Sequence, residues 1–120
     1  MKSVLLVDDD ANFRRSLALM LEGEGYIIYE AENGLDALEF LNKCSNKDIH
    51  IDCVILDARM PGLDGFWLAD QIKSLDATLK IIILSAYPYP EDYDRYLTLT
   101  KPARLNVLKE ALEGQGVFAL

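Results

Sequence analysis

Val4-Leu5-Leu6-Val7 runs straight into Asp8-Asp9-Asp10. Four unbroken apolar residues suit a parallel strand covered on both faces, since such a strand has no solvent side to alternate with. The same form recurs at Cys53-Val54-Ile55-Leu56, ended by Asp57, and at Ile81-Ile82-Ile83-Leu84, ended by Ser85. Two other stretches behave differently. Tyr26-Ile27-Ile28-Tyr29-Glu30 is flanked by polar rings and an acid. In Tyr96-Leu97-Thr98-Leu99-Thr100 the two leucines share one face, while Tyr96, Thr98 and Thr100 share the other. These read as edge strands beside three central ones.

Between the strands the apolar period becomes that of a helix. Phe13, Leu17, Met20 and Leu21 form one stripe, with Arg14 and Arg15 off it and Gly23 and Gly25 closing the helix. Leu35, Leu38 and Leu41 follow the Asn33-Gly34 turn. Leu68, Ala69, Ile72 and Leu75 follow Asp64-Gly65. Leu105, Leu108 and Leu112 follow Pro102, and Gly114 ends that run. Strand and helix in alternation predict an α/β domain, a parallel sheet with helices on both faces and right-handed crossovers. One crossover is thin. Pro88 and Pro90 exclude helix before about residue 90, so one or two turns fit before Tyr96, where a crossover needs about a dozen residues.

The 120 residues make one domain, 1–120, with 113–120 read as a tail or the start of a linker. Hydrophobic residues are 51% and charged residues 27%, enough to bury a core and too apolar for disorder. Twenty acids against twelve Lys and Arg give a net charge of -8. That balance argues against nucleic acid or an anionic membrane as partner and says nothing against binding a cation. Cys44 and Cys53 lie outside any zinc-ligand spacing and read as reduced thiols in a cytoplasmic protein. No apolar run approaches the ~20 residues of a membrane span, and Asp8 cuts off any signal-peptide reading of the start.

In a parallel sheet all strand carboxyl ends lie along one edge. Asp8 and Asp9, Asp57, Ser85 and Lys101 follow the first, third, fourth and fifth strands, so three carboxylates, a hydroxyl and an ammonium converge there. Close carboxylates repel unless protonated or neutralised by a cation. Oxygen ligands without nearby His or Cys favour a hard ion such as Mg²⁺. A metal, a Lys and a Ser hydroxyl are equipment for a phosphoryl group, and a carboxylate can itself become an acyl phosphate. No Gly-rich nucleotide loop is present, so the donor comes from outside.

The chain resembles the receiver domains of two-component response regulators along nearly its whole length. The resemblance is carried by Val4 to Asp10, Glu32-Asn33-Gly34-Leu35-Asp36-Ala37-Leu38, Val54 to Gly65 (with Asp57-Ala58-Arg59-Met60-Pro61-Gly62), Ile83-Leu84-Ser85-Ala86 and Thr100-Lys101-Pro102. It implies a flavodoxin-like, doubly wound five-stranded sheet of order 2-1-3-4-5, here with the fourth crossover helix shortened or missing. Asp57 would be the phosphoacceptor, charged by the phosphohistidine of a histidine kinase or phosphotransfer protein, and the acyl phosphate would hydrolyse slowly. Asp9 would ligate Mg²⁺ (or Mn²⁺) directly, Asp8 mainly through water, Asp57 by its carboxylate and Arg59 by its backbone carbonyl. Ser85 would be the switch hydroxyl that moves to a phosphoryl oxygen, Lys101 the ion-pairing partner of the phosphoryl group and carboxylate, and Ala86 the small residue giving access. Arg59 and Tyr87 would set how readily water attacks. Thr98 stands where the family places an inward-swinging aromatic, and Tyr96 is the substitute on the same strand face. The face from Tyr96 to Leu112 is the expected surface for a homodimer or output partner.

Plainer roles accompany these. Asp10 and Asp64 read as helix N-caps, Met60-Pro61-Gly62 as a turn, Trp67 as a half-exposed packing residue, Cys53 as core, and His50 as outside the site. Two alternatives differ in class. A degenerate receiver would be a constitutive binding module. A haloacid-dehalogenase-like phosphatase would use Asp8, leaving Asp57 idle.

Overall fold

The three central strands are set by the unbroken apolar runs, which leave both faces of the sheet to be covered. A computed structural model describes residues 2–44, 48–86 and 96–113. In chain order the elements are β1 (Ser3–Val7), α1 (Ala11–Glu22), β2 (Ile27–Ala31), α2 (Gly34–Cys44) and β3 (Cys53–Asp57). There follow β4 (Arg59–Met60), β5 (Leu63–Asp64), α3 (Gly65–Leu75), β6 (Lys80–Ser85), β7 (Leu97–Thr100) and α4 (Leu105–Glu113). The main sheet is parallel throughout and runs β2-β1-β3-β6-β7; β4 and β5 form a small antiparallel hairpin. This is the expected 2-1-3-4-5 order, with the two expected edge strands at the edges.

Alternate residues of the central strands face opposite sides. Leu5, Val7, Val54, Leu56, Ile81 and Ile83 join Ala37 of α2 and Phe66, Leu68 and Ile72 of α3. Val4, Leu6, Ile55, Ile82 and Leu84 join Leu17, Ala18 and Leu21 of α1 and Leu108 and Leu112 of α4. On β7, Leu97 and Leu99 pack with the second group, and Tyr96, just before the strand, packs with the first, as the alternation predicts.

The helices begin where short polar side chains cap them. Asp10 accepts from the Phe13 amide at 3.1 Å and Asp64 from the Phe66 amide at 2.9 Å, both as expected. Asn33 accepts from the Asp36 amide at 2.8 Å and starts α2 the same way. The Met60-Pro61-Gly62 turn closes the β4–β5 hairpin, with Gly62 at φ 70°, a conformation that suits glycine.

Several local expectations are corrected. Met20, Leu35 and Leu75 are exposed, and the buried places go to Ala18 in α1 and to Gly34, Ala37 and Cys44 in α2. Small residues let these helices lie close to the sheet, which a stripe of leucines alone does not reveal. The second strand starts one residue later than expected, at Ile27, where its pairing with Ser3 begins; Tyr26, just before it, is buried with its hydroxyl bonded to Glu113. Asp57 and Ser85 are the last residues of their strands rather than the first beyond them. The expected helix start at Pro90, Tyr87 and the Gly114 stop lie outside the described residues.

Candidate phosphoryl and metal site

Each site residue is carried to the same sheet edge by its strand. Asp8, Asp9 and Asp57 each offer a carboxylate oxygen, and the three atoms lie within 4.8 Å of one another. Asp8 is buried, Asp57 half-buried and Asp9 exposed. From the far side Lys101 extends its ammonium to Asp8 Oδ2 at 2.8 Å and to Asp57 Oδ2 at 3.4 Å. Its backbone amide donates to the Ser85 carbonyl at 2.7 Å, so the end of β6 places the residue that follows β7. The ammonium also sits 4.3 Å from the centre of the Phe13 ring, a cation–π contact. Ser85 is buried at 3% exposure and pairs in register with Thr100.

Asp8 is held at all four of its polar atoms. Its amide donates to the Ala31 carbonyl at 3.2 Å, and its carbonyl accepts from Arg14 Nη1 at 2.6 Å. Its Oδ1 accepts from the Asp10 amide at 2.9 Å, and its Oδ2 from Lys101. Asp57 is held more loosely, with Oδ1 taking a 3.4 Å contact from the Arg59 amide. Gly65 allows this loop to close on α3. A Cβ there would lie 2.4 Å from the Asp57 carbonyl oxygen and 2.8 Å from Ala58 Cα, so no larger residue fits without moving the backbone that carries Asp57.

The charges follow the geometry. Burial pushes the Asp57 carboxyl up, and with the smaller help of the Asp8 charge it outweighs the opposing Lys101 ammonium and Arg59 amide. Burial works to lower Lys101, but the Asp8 hydrogen bond and the two carboxylate charges outweigh it and raise its pKa. The donor set is all oxygen, with neither His nor Cys, which fits a hard divalent ion. His50 lies before β3, at the opposite edge of the sheet, with its Nε2 3.0 Å from Asp52.

The other expected residues lie on the loops and strand around these groups. Arg59 is exposed on β4, and Ala86 is exposed just past β6. Thr98 is half-buried and among the described residues its hydroxyl reaches only the Tyr96 carbonyl, at 3.4 Å. Tyr96 donates its hydroxyl to Asp70 on α3 at 2.6 Å and so points to the α3 side. Reading the sequence missed three residues that bear on the site: Phe13, taken only as core, and Arg14 with Glu30, taken only as polar. The signal was an arginine one helical turn beyond the acids and an acid on the adjoining strand.

Comparison with known proteins agrees with this arrangement. The model of the response regulator receiver domain matches residues 4–113. The sensor histidine kinase RcsC of Escherichia coli (strain K12) is 38% identical over 115 residues, which cover 91% of this chain and 12% of RcsC. Sporulation initiation phosphotransferase F of Bacillus subtilis is 35% identical over 86 residues, covering 72% of this chain and 65% of that protein. Among solved structures, the response regulator TrrA of Thermotoga maritima in complex with Mg²⁺ and BeF superposes with a TM-score of 0.79. It is 35% identical and covers 95% of this chain and 98% of its own. TrrA has also been solved in complex with the histidine kinase ThkA. This chain thus spans about an eighth of RcsC and about two thirds of the Bacillus protein. Strand order, acidic edge and relatives converge: the chain belongs to the response regulator receiver domains.

Proposed function

We propose that Asp57 accepts a phosphoryl group from the phosphohistidine of a partner histidine kinase or phosphotransfer protein, and that the acyl phosphate switches partner binding and then hydrolyses slowly. The observation that carries this is the contrast between the two carboxylates. Asp8 is buried with both oxygens taken, whereas Asp57 stands half-buried beside Lys101 with a carboxyl that burial makes more basic. In the transfer an Asp57 oxygen attacks phosphorus, the P–N bond breaks, and its electron pair returns to the imidazole. Lys101 offsets charge on the phosphoryl oxygens and Ser85 donates a hydrogen bond to one of them. Asp8, Asp9 and Asp57, with the Arg59 carbonyl, would hold Mg²⁺ or Mn²⁺. When bound, the ion supplies charge neutralisation for the same oxygens.

The domain is then a phosphoacceptor rather than a turnover enzyme, working in the cytoplasm with protein partners. Among the described residues no helix is long and apolar enough to cross a membrane. Residues 1–120 act as a single receiver domain, with the β7–α4 face as the surface for an output partner or second copy. Ala86 leaves room beside the acceptor, and Arg59 and Tyr87 tune access of water. The phosphatase alternative suffers from the full engagement of Asp8. Intact-mass analysis after acetyl phosphate and Mg²⁺ is the direct test. The expected result is one added phosphoryl group on the wild type and none on Asp57→Asn. Labelling that survives in Asp57→Asn and is lost in Asp8→Asn would overturn the assignment.

A further inference from the structure

The ladder between β1 and β2 ends at Val7 and Ala31, so the Asp8 carbonyl, one residue beyond, has no strand partner. Arg14, on the first turn of α1, fills that place. Its Nη1 donates to the Asp8 carbonyl at 2.6 Å, and its Nε donates to Glu30 Oε1 at 2.9 Å. Glu30 in turn neighbours Ala31, whose carbonyl takes the Asp8 amide. The edge strand β2 therefore grips Asp8 twice, once directly and once through Arg14. We propose that Arg14, anchored by Glu30, is a positioning residue for the metal site. By fixing the Asp8 main chain it sets where the Asp8 and Asp9 carboxylates stand relative to Asp57. The proposal rests on the reading of that cluster as a magnesium site.

Burial separates Arg14 from its neighbour. Its side chain is 15% exposed, against 61% for Arg15, which contacts the same Glu30 at 2.6 Å but touches nothing on Asp8. Burial works against the charge of Glu30, but its bonds to the two arginines hold its carboxyl below the ordinary carboxylate range. Glu30 thus stays ionised beside Arg14 and screens the guanidinium charge from the acids. Orientation, rather than repulsion of an incoming cation, is then what Arg14 contributes. The planar fork of an arginine can hold a carbonyl and a carboxylate together, which a lysine ammonium does less well. Partners that orient metal ligands are worth about 10–100-fold in metal affinity.

The test compares Mg²⁺ titrations, followed by calorimetry, of the full chain and four variants. Arg14→Ala is expected to raise the dissociation constant about tenfold. Arg14→Lys should fall between that value and wild type, Glu30→Gln should weaken binding in the same direction, and Arg15→Ala should leave it unchanged. In metal-free protein, hydrogen exchange of the Asp9 and Asp10 amides should speed up in Arg14→Ala and not in Arg15→Ala. If Arg14→Ala does not fold, Glu30→Gln carries the comparison alone. Unchanged or tighter binding in Arg14→Ala and Glu30→Gln would overturn the proposal, as would equal weakening by Arg15→Ala. A wild type that binds no Mg²⁺ would instead remove the metal reading. The amide exchange would still decide whether Arg14 holds the Asp8 turn.

Discussion

The two flanks of the site are built differently. On the β1 side every polar atom of Asp8 has a partner, drawn from β2, α1, its own turn and Lys101. On the β7 side the strand is an edge, its residues are half-buried or exposed, and the Thr98 hydroxyl makes a 3.4 Å contact with the Tyr96 carbonyl. Preorganised groups suit charge stabilisation, which loses effect when the site must rearrange first. Segments with few buried contacts are the ones that open at low cost. The contrast sets a preorganised β1 flank against a less buried β7 flank.

Lys101 joins them, bonded to Asp8 and Asp57 from just past the end of β7. Replacing it by Ala breaks the comparison most severely. Three carboxylates then face one another without their ammonium, so Mg²⁺ should bind more tightly. The phosphoryl group loses its counter-charge, and labelling by acetyl phosphate at saturating Mg²⁺ should slow about 10²-fold. A time course by intact mass reads this. An unchanged rate would mean that Lys101 serves only to balance Asp8.

A smaller effect isolates Asp57 itself. Burial, aided by Asp8 and only partly opposed by Lys101, raises its carboxyl above the unfolded value. The folded state thus holds that proton more tightly. Its contribution to stability is fully present below the unfolded carboxylate range, about pH 4, and is lost as pH rises through the folded value. At pH 7 the ionised Asp57 therefore carries a penalty that a neutral Asn does not. Without divalent ions, Asp57→Asn should melt a few degrees above wild type at pH 7, and the gain should shrink as pH falls through the raised folded value and be gone by about pH 4. A lower melting point at pH 7 would show that the 3.4 Å attraction of Lys101 exceeds the cost of burial.

What the sequence disclosed follows the same division. The central strands and the acids at their ends were legible because an unbroken apolar run marks a strand buried on two faces, and parallel order brings the ends together. Lys101 was legible at the same edge because it follows the fifth strand directly. The helices were less legible, because Ala18, Gly34 and Ala37 make the close contacts while Met20, Leu35 and Leu75 face solvent. Arg14 was hidden because its role depends on a main-chain carbonyl, which carries no residue signature. At β7 the alternation placed Leu97, Leu99 and Tyr96 on their faces, but nothing in it told that the Tyr96 hydroxyl would find Asp70.

That last bond sharpens the comparison most finely. Tyr96 stands two residues before the end-facing part of β7, on the Thr98 face, and its ring packs in the α2–α3 core cluster. To act for the aromatic that Thr98 lacks, Tyr96 must leave Asp70 when the acceptor is modified. Tyr96→Phe removes the 2.6 Å hydroxyl bond and keeps the ring, so it should cost about 1 kcal/mol of stability, read by urea unfolding. If β7 responds to the site, beryllofluoride with Mg²⁺ should shift the amides of Leu97 to Thr100, and the shifts should grow in Tyr96→Phe because the tether is weaker. Shifts that appear in the wild type but are identical in Tyr96→Phe would make the bond structural and leave the response to the strand alone. No shifts in either protein would mean a β7 edge that does not read the site, and a domain that binds its partner constitutively.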